Sequence, residues 1–385
     1  MFQALFNSLS GLFSFSRSLN TVSNNVANMN TPGFRGSDSF FENINARNGT
    51  RIGGQGLRTV AGDLRQTMNP TDVAISGTGF FVLRDDGGAL HYTRAGQFLF
   101  DEQGFLIDSV SRFRVMSIDE NGHLSPVSME AYRTLPAEPT TRVTFSGNLA
   151  PSGTTHEVTG VVAYAASGTA HTLSITFTNN DEQTPRSFLV SVTDRTGAEI
   201  GTGEIRFSAS GTLEPGYSEM SLDLMSDGET QTITLEFGTP GTFQGTTNLA
   251  GLNNNVSATV TDGRSVLGIT SITFDDSGVL QIAYNATERR QGQQLALAAF
   301  FSESTLELSS GRLISNADAQ RNELGRAGNG VFGRIQGGSL EMSNIDLTQE
   351  FADMLIIQRG YQASSRVMSV SNEMIEQLYN STRGG

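Results

Sequence analysis

The residues of this chain that could take part in a reaction or hold a metal ion include histidines, carboxylates, serines and glycine-rich loops. The four histidines (His91, His123, His156 and His171) are scattered, and no two of them have the spacing of metal ligands. The chain has no cysteine, and all 25 of its basic residues are arginine. A thiolate nucleophile, a Schiff-base lysine and a phosphate-loop lysine are therefore excluded. Since no Gly-x-Ser-x-Gly motif occurs either, we expect no enzyme, no metal and no cofactor.

Carboxylates cluster in three segments that share the pattern apolar, Asp, acidic, polar, Gly. These segments are residues 100–106, 118–124 and 274–280. Each has too few oxygen ligands for a calcium loop of the EF-hand type. We instead predict hairpin turns, in which the Asp side chain accepts backbone N–H groups and the Gly adopts a left-handed conformation.

The sequence Gly77-Thr78-Gly79 resembles part of a nucleotide-binding loop, but it lacks a third glycine and a following helix. It lies within an apolar run from Val73 to Leu83. This run predicts a β-strand in which the glycines mark a bulge or a close approach of another segment.

A long helix is predicted from Asp346 to the end of the chain. Asp346 and Gln349 form a capping-box pair, and residues 347–378 repeat at alternating steps of three and four. No proline interrupts this heptad seam, which is polar only at Glu350, Ser364 and Ser371. Gly360 is its weak point, since glycine costs about 1 kcal/mol relative to alanine within a helix.

The first thirty residues predict a partner helix with the same rhythm. Its seam runs from Leu5 to Val26, and a second stripe is formed by Phe2, Phe6, Leu9 and Phe13. An intramolecular helix pair would cover one stripe, so the second indicates a neighbouring molecule or a membrane. An ordinary amphipathic pair that closes one monomer is the alternative.

Between the helices the pattern is that of β-structure. Alternate apolar residues predict strands at 173–177, 188–192, 222–224 and 233–237, in a spacing that suits a sandwich or barrel. We predict a mainly β fold with a terminal coiled coil and nested β-domains. The predicted parts are helices at 1–30 and 345–385, an extended connector at 31–71, an inner β-domain at 72–139 and 280–344, and an inserted outer β-domain at 140–279.

Composition limits the partners. The formal net charge is −14 and the pI is about 4.7, which disfavours nucleic acid or an anionic membrane as the main partner. No window approaches eighteen apolar residues, so we expect no membrane insertion. The N-terminus lacks the basic region and cleavage site of a signal peptide, and we therefore expect any export to proceed without a cleaved signal.

Several motifs resemble those of the bacterial flagellar rod and hook proteins, a family of axial structural subunits. The motifs are Ser23–Asn28 with Thr31–Arg35, Ile75–Phe81 with Tyr92–Phe98 and Asp101–Leu106, and Ser339–Leu347 with Gln358–Ala363. They stand in the family's order at both ends and in the middle, and the inserted domain is the part they leave unmatched. The chain departs from the family at Gly360, where a better helix former is usual.

The resemblance, together with an inserted stretch similar to the outer domain of hook subunits, implies a hook subunit of the bacterial flagellum. Such subunits pass through the flagellar type III export apparatus and polymerise under a cap into a curved tube, which acts as a universal joint carrying torque from rod to filament. The implied partners are other copies of the chain, the distal rod protein, the hook cap protein, the hook–filament junction protein and the export apparatus. A distal rod subunit with an inserted domain and a β-rich surface adhesin are the alternatives.

The predicted site is therefore an assembly interface on the helices, and a charge such as Leu19→Asp is expected to block polymerisation. Its residues are Leu5, Leu12, Phe15, Leu19, Val22, Val26, Asn25, Asn28, Met354, Ile357, Tyr361, Met368, Ile375 and Leu378.

Overall fold

The computed structural model describes residues 2–44, 49–306, 308, 312–315, 317, 319 and 321–383. The chain separates into unit 1, which comprises Met1–Tyr132 and Thr270–Gly385, and unit 2, which comprises Arg133–Ile269. Helix α1 spans Phe2–Ala27 and helix α2 spans Leu347–Arg383, and both belong to unit 1. Two helices that pack together at the ends of a mainly β chain confirm the predicted fold class.

The strands are numbered along the chain. Those of unit 1 are Ser37–Asn43 (β1), Thr50–Leu57 (β2), Leu64–Gln66 (β3), Val73–Ser76 (β4), Phe80–Arg84 (β5), Leu90–Thr93 (β6), Phe98–Phe100 (β7), Leu106–Asp108 (β8), Arg114–Ile118 (β9), Leu124–Pro126 (β10), Ser271–Phe274 (β22), Val279–Ala283 (β23), Arg289–Gln294 (β24), Ala296–Phe300 (β25), Leu313–Ser315 (β26), Arg321–Arg326 (β27), Arg334–Gly337 (β28) and Ser339–Glu341 (β29). Those of unit 2 are Thr134–Leu135 (β11), Arg142–Asn148 (β12), Thr155–Tyr164 (β13), Ala170–Asn179 (β14), Ser187–Thr193 (β15), Glu199–Arg206 (β16), Glu219–Ser226 (β17), Glu229–Glu236 (β18), Thr246–Thr247 (β19), Ser257–Val260 (β20) and Leu267–Gly268 (β21).

Unit 1 is built around a nine-stranded sheet in the order β26-β6-β5-β9-β8-β7, extended by β10 on β9, by β25 on β5 and by β27 on β25. Its apolar core includes Phe80, Val82, Tyr92, Met116 and Ala298. Smaller pairings join distant parts of the chain, since β28 pairs with β4 and β29 pairs with β3. Segments before and after unit 2 in sequence therefore form one β-structure.

The run from Val73 to Leu83 is two strands rather than the single predicted strand. β4 pairs with β28, whereas β5 lies in the nine-stranded sheet. Between them Gly77 and Gly79 have φ of 119° and 126°, a region that favours glycine, and the chain changes sheets at this bend.

The three predicted acidic turns are confirmed. Oδ1 of Asp101, Asp119 and Asp275 accepts the backbone N–H of Phe105, His123 and Val279, respectively, at 2.8–2.9 Å. The glycine of each turn has a φ between 75° and 86°. Asp85 and Asp194 make the same hydrogen bond four residues onward, to the N–H of Ala89 and Ala198.

The predicted extended connector at 31–71 is wrong over most of its middle. β1 and β2 form an antiparallel hairpin that packs on α1. The glycines that indicated breaks in the pattern serve the hairpin, because a Cβ on Gly56 would lie 2.7 Å from the Phe40 ring across the strands.

Unit 2 consists of two sheets that share one apolar core, a sandwich rather than the barrel that the strand spacing also allowed. One sheet has the order β17-β18-β12-β19 with β20 also on β12, and the other has the order β13-β14-β15-β16. The predicted inward residues fill the space between them, with Leu173, Ile175, Phe177, Ile233 and Leu235 fully buried. β12 pairs in parallel with β18 and β19 and antiparallel to β20.

Candidate assembly surface

The two terminal helices form an antiparallel pair. Asn25 Nδ2 donates to Glu350 Oε2 at 3.1 Å. Farther along, a Cβ on Gly360 would lie 2.5 Å from Phe15 Cζ, and a Cβ on Gly11 would lie 2.9 Å from Ser364 Oγ. From one contact to the next, the residue number on α1 decreases by as much as the residue number on α2 increases. The two helices therefore run antiparallel.

Gly360 is thus a contact point rather than a weak point of the seam. The ring of Phe15 lies where any larger side chain at residue 360 would stand. A large side chain opposite glycine brings two helices close together, as small residues do at other helix interfaces.

Most of the predicted interface residues are covered within one copy of the chain. Those that are buried are Val22, Asn25 and Ile357, and those that are partly buried are Leu5, Leu12, Phe15, Leu19, Val26, Asn28, Met354, Met368 and Ile375. The remaining two, Tyr361 and Leu378, are 46% and 53% exposed. Asn28 contributes to the end of α1, where its side chain bonds to Asn24 and Thr31.

The face of α1 that is most deeply buried is not the predicted seam. The seam runs alongside this face and is mostly only partly buried. Buried on this face are Ser8, Gly11, Ser14, Ser18, Thr21, Val22 and Asn25. The reason is the β1–β2 hairpin, which covers this side of the helix with polar contacts. Ser14 Oγ donates to the Thr50 carbonyl at 3.1 Å, and Thr21 Oγ1 lies 2.8 Å from Ser39 Oγ.

A buried ion cluster, here called the junction, joins three distant segments of unit 1. Glu341 lies at the end of β29, and its Oε2 accepts a hydrogen bond from Arg94 Nε at 2.7 Å. Its Oε1 lies 3.5 Å from Arg35 Nη2. All three side chains are at most 5% exposed. Arg35 also pairs with Glu303 at 2.9 Å.

Backbone groups complete the junction. Arg94 donates to the carbonyls of Ile75 at 3.1 Å and Gly77 at 2.9 Å, and also to that of Gly79. The glycine bend between β4 and β5 therefore holds a guanidinium of the chain itself rather than a nucleotide. Burial lowers the pKa of Arg94, and the charge of Glu341 opposes this effect.

Gly33 allows the segment after α1 to reach the junction. Its φ is +70°, its N–H donates to the Glu341 carbonyl at 2.8 Å, and a Cβ would collide with the backbone of Ala95. Only glycine fits here.

A second ion cluster ties the start of α2 to the hairpin. Glu350 is fully buried and lies 2.6 Å from Arg58 Nη1, while Arg58 also contacts Asp38 at 2.8 Å. Burial lowers the pKa of Arg58, but the hydrogen bonds and charges of Asp38 and Glu350 together raise it above its ordinary value. Nearby, Asn344 Oδ1 accepts the Gly36 N–H at 2.8 Å.

These ion clusters were not predictable from the sequence. The available signal was a charged residue inside an otherwise apolar motif, as at Phe34-Arg35, Arg94-Ala95 and Leu340-Glu341. Such a residue can also lie on an exposed strand face, so the pattern alone did not distinguish the two situations.

Large apolar side chains remain exposed on both helices. On α1, Phe2 is 81%, Phe6 is 52% and Phe13 is 64% exposed. On α2 the exposed apolar residues include Ile356, Val367, Val370 and Met374, whose steps of eleven, three and four place them on one side of the helix. We call these two sets the outward stripes.

Within the described part of the chain, no group of three or more His, Asp or Glu side chains is arranged to hold a metal ion. None of the described helices combines the length and hydropathy needed to cross a membrane.

Three family models match the chain. The model described as flagella basal body rod protein matches residues 5–35, the flagellar hook protein FlgE/F/G D1 domain matches 74–125, and the flagellar basal body rod FlgEFG protein C-terminal model matches 336–381. Arg35, Arg94 and Glu341 each lie in a different one of these segments.

Relatives match along nearly the whole length. The flagellar hook protein FlgE of Brucella suis biovar 1 is 29% identical over 398 residues, which cover 97% of this chain and 98% of that protein. The flagellar hook protein FlgE of Escherichia coli K12 is 26% identical over 406 residues, which cover 98% of this chain and 99% of that protein. The crystal structure of Helicobacter pylori flagellar hook protein FlgE2 matches at a TM-score of 0.44 and 13% identity, covering 72% of this chain and 100% of that one.

The matched motifs stand at both ends and in the middle of the chain, in the order of the models, and the sequence relatives extend the match through unit 2. The chain is therefore similar to the flagellar rod and hook (FlgE/F/G) structural proteins in these three segments, and to flagellar hook proteins along nearly its whole length.

Proposed function

We propose that this chain is the subunit of the flagellar hook, which polymerises into a curved tube and transmits torque from rod to filament. The three family models leave residues 126–335 unmatched, and unit 2 lies in this gap. The alignments with curated hook proteins cover 97–98% of this chain and so extend through unit 2. This favours a hook subunit over a rod subunit with an unrelated insertion.

The observation that carries the proposal is the pair of outward stripes. A soluble monomer rarely places large apolar residues in rows along both of its terminal helices. Fully burying one such side chain stabilises a structure by roughly 1.5–3 kcal/mol. Contact between the stripes of neighbouring copies would therefore favour assembly. In this proposal the heptad seam residues predicted from the sequence hold the two helices together within each copy, and the outward stripes face other copies.

The geometry of such an assembly follows from the type of contact. A stripe on α1 that meets a different surface on the next copy makes a head-to-tail interface, and this type of interface generates a helical filament when it does not close into a ring. In this proposal the neighbours at the two ends are the distal rod protein and the hook–filament junction protein. The cap protein stands at the growing end, and the export apparatus delivers the subunits.

Electron microscopy of flagella from a strain that lacks this gene tests the proposal. We expect basal bodies that end in a completed rod without a curved segment, and restoration of the segment by the intact gene. Truncated rods would instead make the chain a rod subunit. Normally curved hooks in the deletion strain would contradict both assignments and favour the adhesin.

A matched pair of variants tests the stripes themselves. Val370 is 54% exposed in the α2 stripe, whereas the exposed Ser369 lies about 100° away on the same helix. We expect Val370→Asp to abolish hook formation, and Ser369→Asp to leave it near the wild-type level. Equal hook numbers for the two variants would contradict the role of the stripe.

A further inference from the structure

The last turns of α2 extend beyond the described part of α1. The antiparallel register set by Asn25–Glu350 and Phe15–Gly360 places Phe2 opposite about residue 373. Beyond this point Met374, Leu378 and Tyr379 are more than half exposed, although the seam continues through Ile375. This segment, Met374–Thr382, therefore has an apolar face that α1 of the same copy does not cover.

An apolar groove lies elsewhere on unit 1, between α1 and the β1–β2 hairpin. It has a volume of about 350 Å³ and is lined by Phe13, Ile44 and Ile52, with Arg17 and Arg51 among its polar residues. Arg51 is already paired with Glu42 at 2.9 Å. Among the described side chains no carboxylate pairs with Arg17, so this guanidinium is available to an incoming acidic group.

The charges of the two surfaces are complementary. Arg17 is the only charged residue of α1, and residues 367–382 carry Glu373 and Glu376 but no basic residue. Glu376 lies about 60° from Tyr379 around the helix and shares a face with it, whereas Glu373 lies about 120° from Tyr379. Glu376 is therefore the carboxylate that would lie at the edge of an apolar contact made by this segment.

We propose that the end of α2 of one copy, Met374–Thr382, occupies the groove between α1 and the hairpin of a second copy, with Glu376 beside Arg17. The inference rests on the proposed self-assembly and names the surfaces that meet. The same contact cannot form within one copy. In the observed register Arg17 lies opposite about residue 358, so residue 376 is about 27 Å farther along the pair at 1.5 Å per residue.

Disulfide crosslinking tests this contact directly, because the chain has no cysteine of its own. The variant with Arg17→Cys and Glu376→Cys is expressed in the deletion strain, and isolated hooks are oxidised and separated by size without reductant. A disulfide requires Cα atoms about 4.4–6.8 Å apart. We expect a ladder of covalent multimers that reductant collapses to monomer. The control with Arg17→Cys and Glu373→Cys is expected to give at least about tenfold less crosslinking.

Charge reversal gives a second readout. Arg17→Glu and Glu376→Arg each place like charges together, and we expect each to lower the number of hooks per cell about tenfold. The double variant restores the opposite pair, and it is expected to recover most of this loss. Far-UV circular dichroism of the monomers checks that each variant folds.

The outcomes separate the two proposals. If the wild-type gene does not restore a curved tube, the hook assignment fails. If it does, but the Arg17–Glu376 cysteine pair gives no more multimer than the control pair, the hook assignment stands and this contact is overturned. Single charge reversals that assemble like wild type would overturn it as well.

Discussion

Unit 2 and the terminal helix pair bury opposite kinds of side chain. The space between the two sheets of unit 2 is filled by a large cluster of apolar side chains, in which Phe177, Leu235 and Phe237 are fully buried. The buried face of α1 is instead mostly serine, glycine, threonine and asparagine, while Phe2, Phe6 and Phe13 point outward.

The difference shows which region can be stable alone. Burial of apolar surface dominates folding, and unit 2 achieves it within one chain. The helix pair leaves much of its apolar surface in water, and it is held by close glycine contacts and by hydrogen bonds and ion pairs to the hairpin. Such a region gains stability when other copies cover it, which agrees with the proposed function.

The largest effect is expected from opening the apolar core of unit 2. The Phe177 ring has its centroid 5.8 Å from that of Phe145 and 5.9 Å from that of Phe237. Phe177→Ala should lower the free energy of unfolding of unit 2 by about 3–5 kcal/mol, because it removes a fully buried side chain and leaves a cavity. Urea unfolding followed by circular dichroism measures this loss.

The control lies in the neighbouring strand. Leu189 is 46% exposed on β15, so Leu189→Ala should cost less than about 1 kcal/mol. Similar losses for the two variants would contradict the view that unit 2 depends on its own apolar core.

A slightly smaller effect is expected at the junction. Glu341→Gln removes the carboxylate between the buried guanidinium groups of Arg35 and Arg94. A buried charge without its partner is costly, and we expect unit 1 to lose about 3 kcal/mol of unfolding free energy. The exposed pair Glu42–Arg51, whose side chains are 54% and 62% exposed, supplies the control.

Glu42→Gln should change the stability of unit 1 by less than about 1 kcal/mol, since exposed ion pairs contribute little. If the two variants unfold at the same urea concentration, the junction does not hold unit 1 together. The contacts between the helices, rather than the junction, would then stabilise unit 1.

The features that the sequence predicted correctly are those with a local pattern. Alternate apolar residues located the strands of unit 2, and the Asp and Gly at fixed spacing located three hairpin turns. The capping position of α2 was also predictable, because Asp346 accepts the N–H groups of Thr348 and Gln349.

The features that were missed depend on segments far apart in sequence. Glu341 and Arg94 are separated by 247 residues, and nothing local distinguishes their charges from exposed ones. The sequence predicts a connector where the hairpin lies, because Gly53, Gly54 and Gly56 indicate breaks unless the pairing with β1 is known. The burial of a serine-rich face of α1 was not predictable either, because it depends on the hairpin that covers this face.

A further prediction concerns Gly360, where local propensity and packing disagree. Alanine would stabilise an isolated helix by about 1 kcal/mol relative to glycine. In the pair, its Cβ would lie 2.5 Å from the Phe15 ring, and overpacking typically costs about 1–3 kcal/mol. We expect Gly360→Ala to destabilise the helix pair by about 1 kcal/mol net, measured by the thermal loss of helical circular dichroism.

The Phe15→Leu background tests the cause. There the smaller side chain should leave room for the added methyl group, and Gly360→Ala should become neutral or stabilising. If alanine stabilises the chain while Phe15 is intact, the ring can move aside, and the close contact contributes little to the pair.

The smallest effect concerns the start of α2 and depends on pH. Asp346 Oδ1 accepts the N–H of Thr348 at 2.7 Å and of Gln349 at 3.4 Å. These backbone hydrogen bonds lower the pKa of Asp346, so its stabilising contribution is present above the ordinary aspartate pKa and is lost as pH falls through the lowered value. We expect the first turn of α2 to fray as the pH falls below the ordinary aspartate pKa and through the lowered pKa of Asp346.

Asp346→Asn isolates this effect, because asparagine also caps helices but does not titrate. The variant and the wild type should have similar helical circular dichroism at neutral pH, and only the wild type should lose the contribution of this cap in acid. Asp85, Asp119 and Asp194 in the β-turns also have lowered pKa values and titrate in both proteins, so the difference between the two acid curves reports on Asp346. Identical curves would show that neighbouring copies and the hairpin, rather than this cap, fix the start of α2.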